Sequence, residues 1–363
     1  MNKFLATAAA LCACTTGAAF ADEAPAAEPA EKVDAPLVQI NLPQGLTLEG
    51  LLELSGSWTK QGDEKETDLN MDTVELDFGW DVSEELKVNV NLLWEEGEDF
   101  CVDEAAFEYA LPGVEGLAVR GGWLYMPFGV FDFGSPMVSD PLTLELAEIN
   151  DAAIGLQYGD DFFGASVYAF KGDIDDDSDD MQFAAAVDLK SGDLLDGVAL
   201  AFHFGFLSDI GEAAMDDDIN DRIKGGTDED GNEIAPADYD AACAFDVAVA
   251  LEIEDCCTLA AEYVFAADDM EFDGEAAGKP QAWAVDFVVP ATERLTLALR
   301  YGGSKEFNPE EFPEMQWGAA AEYAFDDNVA LALEYMYGRY EKADDGVRPD
   351  DSHAVTAKIA VSF

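Results

Sequence analysis

Basic residues are scarce in this sequence. Only 18 Lys and Arg stand against 78 Asp and Glu in 363 residues, which gives a formal net charge of -60. Because contacts to phosphate backbones need clusters of Lys and Arg, this balance excludes nucleic acid as a partner. The chain is nevertheless 49% hydrophobic and carries 23 Phe, 11 Tyr and 6 Trp. So many aromatic residues indicate a folded chain rather than a disordered acidic polymer.

Histidine and cysteine are also rare. Neither His203 nor His353 lies beside a nucleophile motif, which argues against hydrolytic catalysis. Of six cysteines, Cys12 and Cys14 fall in the N-terminal leader, and the other four have neither the density of a disulfide scaffold nor C-x-x-C spacing. The acidic run 228–232 lacks the ligand spacing of a helix-loop-helix calcium site. We therefore expect no enzyme activity, no cofactor and no metal site.

The N-terminal segment is predicted to direct export. Residues 1–21 read as a signal peptide, with Lys3, an uncharged run and the small-x-small cleavage site Ala19-Phe20-Ala21. A weaker alternative is a lipoprotein signal around Cys12. Residues 22–45, dominated by Ala, Pro and Glu, are predicted to form a polar periplasmic linker. Passage through the Sec pathway to the outer membrane of a Gram-negative bacterium follows from this interpretation.

No long hydrophobic run follows the linker. From Leu46 onward nothing approaches the 18 apolar residues of a transmembrane helix, and apolar residues alternate with polar ones instead, as at 355–363. Period-two alternation is typical of strands with one polar and one apolar face. Sixteen such strands are predicted, at 46–58, 73–82, 86–96, 103–111, 117–126, 152–159, 162–171, 181–190, 197–207, 241–253, 257–266, 281–289, 295–303, 315–325, 328–338 and 353–363.

The spacing of these strands indicates a membrane barrel. Short and long connections alternate, which is typical of outer-membrane barrels with short periplasmic turns and longer outer loops. All six tryptophans fall on the apolar parity near strand ends, as the interfacial girdles of such barrels require. Residues 46–363 are therefore predicted to form an all-β, 16-stranded antiparallel transmembrane β-barrel, porin-like in class. Helices have almost no place in this prediction.

The polar parity predicts the lining of the lumen. Small residues alternate there with carboxylates, so the wall is expected to be acidic, to leave an aqueous channel and to prefer cations. An equally weighted alternative is that the acidity is an environmental or colloidal adaptation, because the loops are just as acidic. The acidic wall is predicted to include Glu75, Asp77, Asp188, Asp246, Asp286, Glu322 and Glu334.

A constriction is predicted from basic residues and one long loop. Lys87, Arg120, Arg300 and Lys358 share the inward parity. The connection from Pro127 to Asp151 could fold inward and turn an acidic patch toward Arg120. The alternative, which we weighted more, is that Arg120 only pairs with a neighbouring lumen carboxylate. The acidic residues of the loop are Asp132, Asp140, Glu145 and Glu148.

Two runs within this region carry a family resemblance. They are 122–129, which includes Pro127, Phe128 and Gly129, and 139–146, which contains Ser139, Asp140, Pro141, Leu142 and Thr143. On these motifs the chain resembles the LbtU-type siderophore porin family of outer-membrane barrels. The resemblance implies ferric-siderophore uptake through an unplugged barrel, and a terminal Phe363 that is read by the barrel-assembly machinery.

Two departures from the family limit this reading. The chain has no helical N-terminal extension, and its acidity would oppose the entry of an anionic ferric siderophore. A general or cation-preferring diffusion porin without dedicated cargo is therefore the alternative. A structural or adhesive surface barrel that uses residues 222–240 is a third. The expected partners are outer-membrane lipid and small solutes or a ferric siderophore, and a homo-oligomer is left open.

Overall fold

The computed structural model describes residues 45–172, 181–195, 197–213, 226–227, 233–234, 237–307, 312–342 and 348–363. The predicted signal peptide lies outside the described residues, as does the linker apart from Gly45. The acidic run 228–232 and most of 222–240 also lie outside them.

Sixteen strands of the described chain form one closed antiparallel barrel, as the alternation predicts. Each strand pairs with its neighbours along the barrel, and β1 pairs with the last strand to close it. The barrel strands are β1 (Leu46–Gln61), β2 (Glu64–Asp81), β3 (Leu86–Glu95), β4 (Cys101–Ala110), β5 (Leu117–Tyr125), β6 (Asn150–Gly159), β7 (Phe163–Phe170), β8 (Gln182–Leu195), β9 (Val198–Leu207), β13 (Ala244–Ile253), β14 (Cys257–Ala266), β17 (Gln281–Thr292), β18 (Leu295–Lys305), β19 (Met315–Ala324), β20 (Val329–Arg339) and β21 (Ser352–Ser362).

Short strands and helices lie in the connections. One two-stranded sheet pairs β10 (Gly226–Thr227) with β11 (Glu233–Ile234). A second sheet contains β12 (Tyr239–Asp240), β15 (Met270–Phe272) and β16 (Glu275–Gly278). The helical elements are α1 (Leu142–Ala147) and a single 3-10 turn at Ile210–Glu212. Among the described residues, no helix has the length and apolar character needed to cross a membrane.

The first hairpin is longer than the alternation predicts. The predicted strands 46–58 and 73–82 left a long connection between them, and this was wrong. In the structure β1 runs to Gln61, β2 starts at Glu64, and only Gly62 and Asp63 lie between them. Both faces are polar over 59–61 and 64–68, so this part carries no alternation to detect. Leu69 and Met71 do face outward, but the bulge at Asp72 puts them on the opposite parity from Val74 and Leu76. Trp58 marks the end of the apolar face of β1, and the hairpin continues beyond it.

The outer face of the barrel is apolar and has an uneven aromatic distribution. Large exposed side chains such as Leu54, Ile154 and Leu299 point outward, where the lipid of an outer membrane would cover them. Five tryptophans lie at the end of the barrel that carries the long connections, whereas Trp80 lies at the end with the short turns. Tyr109 and Tyr323 lie near that second end. The long-connection end also carries tyrosines, such as Tyr263 and Tyr301 beside Trp283 and Trp317, so tryptophan is concentrated at one interface and tyrosine occurs at both.

Two β-bulges turn extra carboxylates inward. In β2 the register shifts so that Asp72 has no partner residue, and in β4 the same happens at Asp103. Both bulge residues and the residues that follow them, Thr73 and Glu104, line the central cavity. A bulge places two successive side chains on one face and locally re-aims them. Strict alternation would have put one residue of each pair on the lipid side.

Gly122 on β5 should be required for β5 to pair with β4. Its φ is 138°, and a Cβ there would lie 2.1 Å from the carbonyl oxygen of Ala105 on β4. Because the obstacle is backbone, Gly122→Ala should cost about 2 kcal/mol or more of folding free energy. The measurement is the urea midpoint of refolding into bilayers, followed by heat-modifiable migration on gels. Gly159→Ala is the matched control, since a Cβ there meets nothing within 4 Å. Equal midpoints for the two variants would contradict this reading.

Candidate constriction site

The segment between β5 and β6 folds into the barrel. We call Met126–Ile149 the inward loop; a hydrogen bond of 2.9 Å from the Met126 amide to the Ile149 carbonyl closes its base. The helix α1 lies within it and packs near β14, β17 and β18. The predicted inward folding of the connection Pro127 to Asp151 is present in the structure. A loop inside a lumen must find hydrogen-bond partners for its backbone there.

Glu262 on β14 provides the first set of partners. Its Oε1 accepts hydrogen bonds from the amides of Val130 (2.6 Å) and Phe131 (3.1 Å). Its Oε2 accepts a hydrogen bond of 2.6 Å from the Thr143 hydroxyl. The glutamate is almost fully buried, and three donors compensate its removal from water. It therefore joins two separate stretches of the inward loop to the opposite side of the barrel.

Glu334 on β20 provides the second set. Its Oε2 accepts from the amides of Val138 (2.7 Å) and Ser139 (3.1 Å), and the Ser139 hydroxyl donates to Oε1. Arg300 on β18 donates at 2.7 Å to the carbonyl of Ser139. The same guanidinium forms a two-bond pair with Asp286, at 2.8 and 2.7 Å. These buried charged groups depend on one another for hydrogen-bond partners. Removing one of them leaves the others buried without a partner, which strongly destabilises the fold.

Apolar packing fills the space behind the inward loop. Phe128, Leu142 and Leu146 are buried against Leu207 and Val264 of the barrel. The inward positions of the neighbouring strands are mostly alanine, and this leaves room for the larger loop side chains. These alanines include Ala184, Ala244, Ala266, Ala282, Ala284, Ala298, Ala320 and Ala332. This side of the lumen is thus a packed apolar core, whereas the sequence predicts that small side chains leave an aqueous channel.

The other half of the lumen remains open. A cavity of about 2990 Å³ is lined mainly by the inward faces of β1–β5 and by the pore side of the inward loop, with further residues from β6–β9, β13 and β18–β21. Twenty-two Asp or Glu and five Lys or Arg line it. We call the inward faces of β1–β5 the open wall, and those of β13, β14 and β17–β20 the covered wall. The inward loop lies between them.

Several carboxylates on the open wall are held by neutral donors. Asn91 donates to Glu75 and, at 2.9 Å, to Asp77. The Tyr125 hydroxyl donates at 2.8 Å to the bulge carboxylate Asp103. The second bulge carboxylate, Asp72, accepts from Ser55 at 2.8 Å. Amide and hydroxyl donors fix the geometry of these carboxylates without neutralising their charge.

The four predicted basic residues have different surroundings. Arg120 pairs with Glu104 at 2.9 Å, and Lys358 pairs with Glu53 at 2.9 Å. Both pairs lie on the wall of the cavity, while Arg300 is buried and binds the inward loop. Lys87 is exposed near the turn end of β3. The structure thus has Arg120 paired with a neighbouring lumen carboxylate, which is one of the two predicted alternatives.

The predicted acidic wall divides into two groups. Glu75, Asp77 and Asp188 line the open cavity, with Asp188 hydrogen-bonded to His203 at 2.8 Å. The remaining residues belong to the covered wall: Asp246, Asp286 and Glu334 are buried, and Glu322 is half-buried near the turn end of β19.

Crowding of carboxylates is greatest where the inward loop returns to the open wall. Burial raises the pKa of Glu148, and the carboxylates of Asp140, Asp103 and Glu95 raise it further, to about 8. The side chain therefore holds a proton at neutral pH. Asp132 and Glu145, the other predicted acids of the loop, also line the cavity. The pore side of the inward loop is acidic along its length.

The motif residues prove to be structural elements of the inward loop. Ser139 and Thr143 bind Glu334 and Glu262, Leu142 is buried, and Pro141 precedes α1 directly. Asp140 lies on the pore side. Pro127, Phe128 and Gly129 lie at the start of the inward loop, just after β5, and Gly129 has a φ of 97°. Glu262 is not among the residues that the sequence predicts for the site, because its partners are more than a hundred residues away.

Comparisons with known proteins agree with this architecture. A model of the Gram-negative porin family matches residues 6–343. The fold is similar to an anion-selective porin from Comamonas acidovorans, with TM-score 0.60 and 10% identity over 88% of this chain and 99% of that one. It is also similar to OmpF of Salmonella typhi in complex with daunomycin, with TM-score 0.56 and 17% identity over 88% and 97%. No curated protein matches the sequence.

A third similar structure is a loop-deletion mutant of OmpT, an outer membrane protein of Vibrio cholerae. It has TM-score 0.58 and 14% identity over 88% of this chain and 100% of that one. At these identities the likeness shows the fold, and the lining of each pore must be read from its own residues.

Removing the Glu262 carboxylate should loosen the inward loop. Glu262→Ala leaves the amides of Val130 and Phe131 and the Thr143 hydroxyl without their acceptor, and bonds to a charged group are each worth about 1.5–3 kcal/mol. Amide hydrogen exchange over 126–149 should become at least about tenfold faster. Glu262→Gln keeps one carbonyl acceptor and should give an intermediate rate.

The control for this measurement is Glu322→Ala, which removes a carboxylate from the same wall near the turn end of β19. It should leave exchange over 126–149 unchanged. If Glu262→Ala also leaves it unchanged, the apolar core alone holds the inward loop.

Proposed function

Because the chain belongs to the Gram-negative porin family, we propose that it is a diffusion channel of the outer membrane that prefers cations and is narrowed by the inward loop. The observation that carries this proposal is the lining of the open cavity, where Asp and Glu outnumber Lys and Arg by twenty-two to five. A lumen of fixed negative charge concentrates cations and repels anions.

Five basic residues line the cavity, too few to offset its acidic residues. Three of the five are bound to neighbouring carboxylates. Lys358 is bound to Glu53, Arg120 to Glu104 and Arg300 to Asp286. Glu75, Asp77 and the bulge carboxylates are held by amide or hydroxyl donors instead. Their charge therefore acts on passing ions, most strongly where the inward loop displaces water from half of the lumen.

The fold does not decide the sign of this preference. The structure from Comamonas acidovorans is described as anion-selective, and its barrel is similar to this one. Selectivity in such barrels depends on the residues that face the lumen rather than on the strand arrangement. The acidic lining of this chain supports the opposite preference.

Ferric-siderophore uptake, which the motif resemblance implies, remains a separate prediction. In this structure Ser139 and Thr143 anchor the inward loop to Glu334 and Glu262, so fixing the loop is itself a sufficient reason for the motif. The acidic lining also opposes anionic cargo. A homo-oligomer and recognition of Phe363 by the assembly machinery are further expectations; one similar structure, OmpT of Vibrio cholerae, is described in a trimer form.

Reversal potentials in a potassium chloride gradient test the proposed preference. The protein purified from outer membranes and placed in planar bilayers should pass potassium at least about fivefold better than chloride. Glu75→Gln combined with Asp77→Asn should reduce this ratio, because two carboxylates that have no basic partner among the described residues are replaced on the open wall by amides of the same shape.

The matched control is Glu322→Gln, a carboxylate outside the cavity lining. It should leave the potassium-to-chloride ratio unchanged. Chloride preference in the unaltered protein would overturn the proposal, and a ferric siderophore that blocks the current at micromolar concentration would restore the siderophore reading.

The same ratio should depend on pH in the alkaline range. Because the pKa of Glu148 is raised to about 8, this side chain is neutral at neutral pH and becomes negative as the pH rises through that value. Potassium preference should therefore increase between about pH 7 and about pH 9. Glu148→Gln should reduce the increase, whereas Glu108→Gln, in the same cavity, should leave it unchanged. An increase of equal size in Glu148→Gln would assign it to another group.

A further inference from the structure

The pore side of the inward loop carries aromatic side chains. Phe131 and Phe133 both line the open cavity and are both partly exposed. The lumen of a barrel of this kind is ordinarily polar, since it holds water. Phe131 packs partly against the buried core behind the inward loop, yet part of its ring and part of the Phe133 ring remain on the cavity side. Apolar surface left in contact with solvent often marks a binding surface.

The backbone is strained in order to place one of these rings. Phe131 has a φ of 54°, in the left-handed region that glycine adopts more easily. The amides of Val130 and Phe131 both point to Glu262, and the Asp132 amide donates to the Val130 carbonyl at 2.6 Å, which closes a tight turn. Glycine would satisfy this geometry without strain, yet the position holds phenylalanine.

The adjacent glycine makes room for the ring. A Cβ at Gly129 would lie 2.2 Å from the ring carbons of Phe131. Any other residue at 129 would therefore displace the ring from its place on the pore side. The strain at 131 and the small residue at 129 both serve the position of this one side chain.

Carboxylates surround the same passage. The open wall presents Asp72, Glu75, Asp77 and Asp103 to the cavity, and the bulges in β2 and β4 aim two of them inward. Asp132 lies between the two phenylalanines on the inward loop itself and is exposed. The rings and the carboxylates line the same cavity, and Asp132 places a negative charge in sequence between the two rings.

From this juxtaposition we propose that the constriction selects amphipathic organic cations, solutes with an ammonium or amidinium group on an apolar or aromatic body. The charged group interacts with the carboxylates, and the body lies against Phe131 and Phe133, where dispersion and cation–π attraction add to the electrostatic term. The inference rests on the proposed cation-preferring channel and names the class of solute that it favours.

Three probes separate the effect of charge from that of the ring. Benzylammonium has both features, methylammonium has only the charge, and benzoate has the ring with the opposite charge. In bilayers with potassium chloride, benzylammonium should reduce the potassium current at a concentration at least about fivefold below that of methylammonium, which corresponds to about 1 kcal/mol. Benzoate should have no comparable effect.

Two double variants test the rings and the carboxylates separately. Phe131→Gly combined with Phe133→Ala removes the rings, and glycine suits the φ of position 131, so the backbone of the inward loop should be retained. This variant should block equally with benzylammonium and methylammonium while it still prefers potassium to chloride. Glu75→Gln combined with Asp77→Asn should weaken block by both cations. Phe162→Ala, an exposed ring on the turn after β6, is the control and should behave as the unaltered protein.

The outcomes separate the inference from the function on which it rests. Equal block by benzylammonium and methylammonium, in an unaltered channel that prefers potassium to chloride, would overturn the inference alone. Equal block by benzylammonium and benzoate would show a purely apolar site and would also overturn it. A channel without potassium preference, or no current at all, would overturn the proposed function itself.

Discussion

Two buried glutamates hold the inward loop inside the barrel. Glu262 and Glu334 stand on the covered wall and accept six hydrogen bonds from the inward loop, four of them from backbone amides. A stretch of chain lying inside a barrel cannot continue the strand ladder, so its amides need acceptors on the wall opposite. Carboxylates are well suited to this, because one side chain serves three donors at once. The division of the lumen follows from that attachment.

Once the inward loop is fixed to one wall, the two halves of the lumen have different roles. Alanines on the covered wall accommodate Phe128, Leu142 and Leu146, so that half is packed and dry. The open wall faces the cavity and carries carboxylates such as Asp77 and Asp103 that are held by amide or hydroxyl donors. Acidic residues of the same type thus stabilise the fold on one side and face solutes on the other, and only the inward loop distinguishes them.

Much of the barrel could be predicted from sequence because period-two alternation is local. The strand count, the short turns and the inward parity of Glu262 and Glu334 are all properties of short windows. The partners of these glutamates are not, since they lie between 119 and 196 residues away. The bulges at Asp72 and Asp103 shift the parity within a strand, and the extension of β1 to Gln61 lacks an apolar face. Consecutive acids at 103–104 were the one available signal of a bulge.

The arrangement of the acidic residues favours a role in permeation over a general adaptation to the environment. An adaptation that works through net charge needs carboxylates on exposed surface and is indifferent to their direction. Here two strands give up regular pairing so that Asp72 and Asp103 face the lumen, beside residues that already do so. Tyr125 and Ser55 then hold these carboxylates in place without neutralising them. An electric field that acts on solutes in the lumen would explain this loss of regular strand pairing. Surface charge alone would not require it.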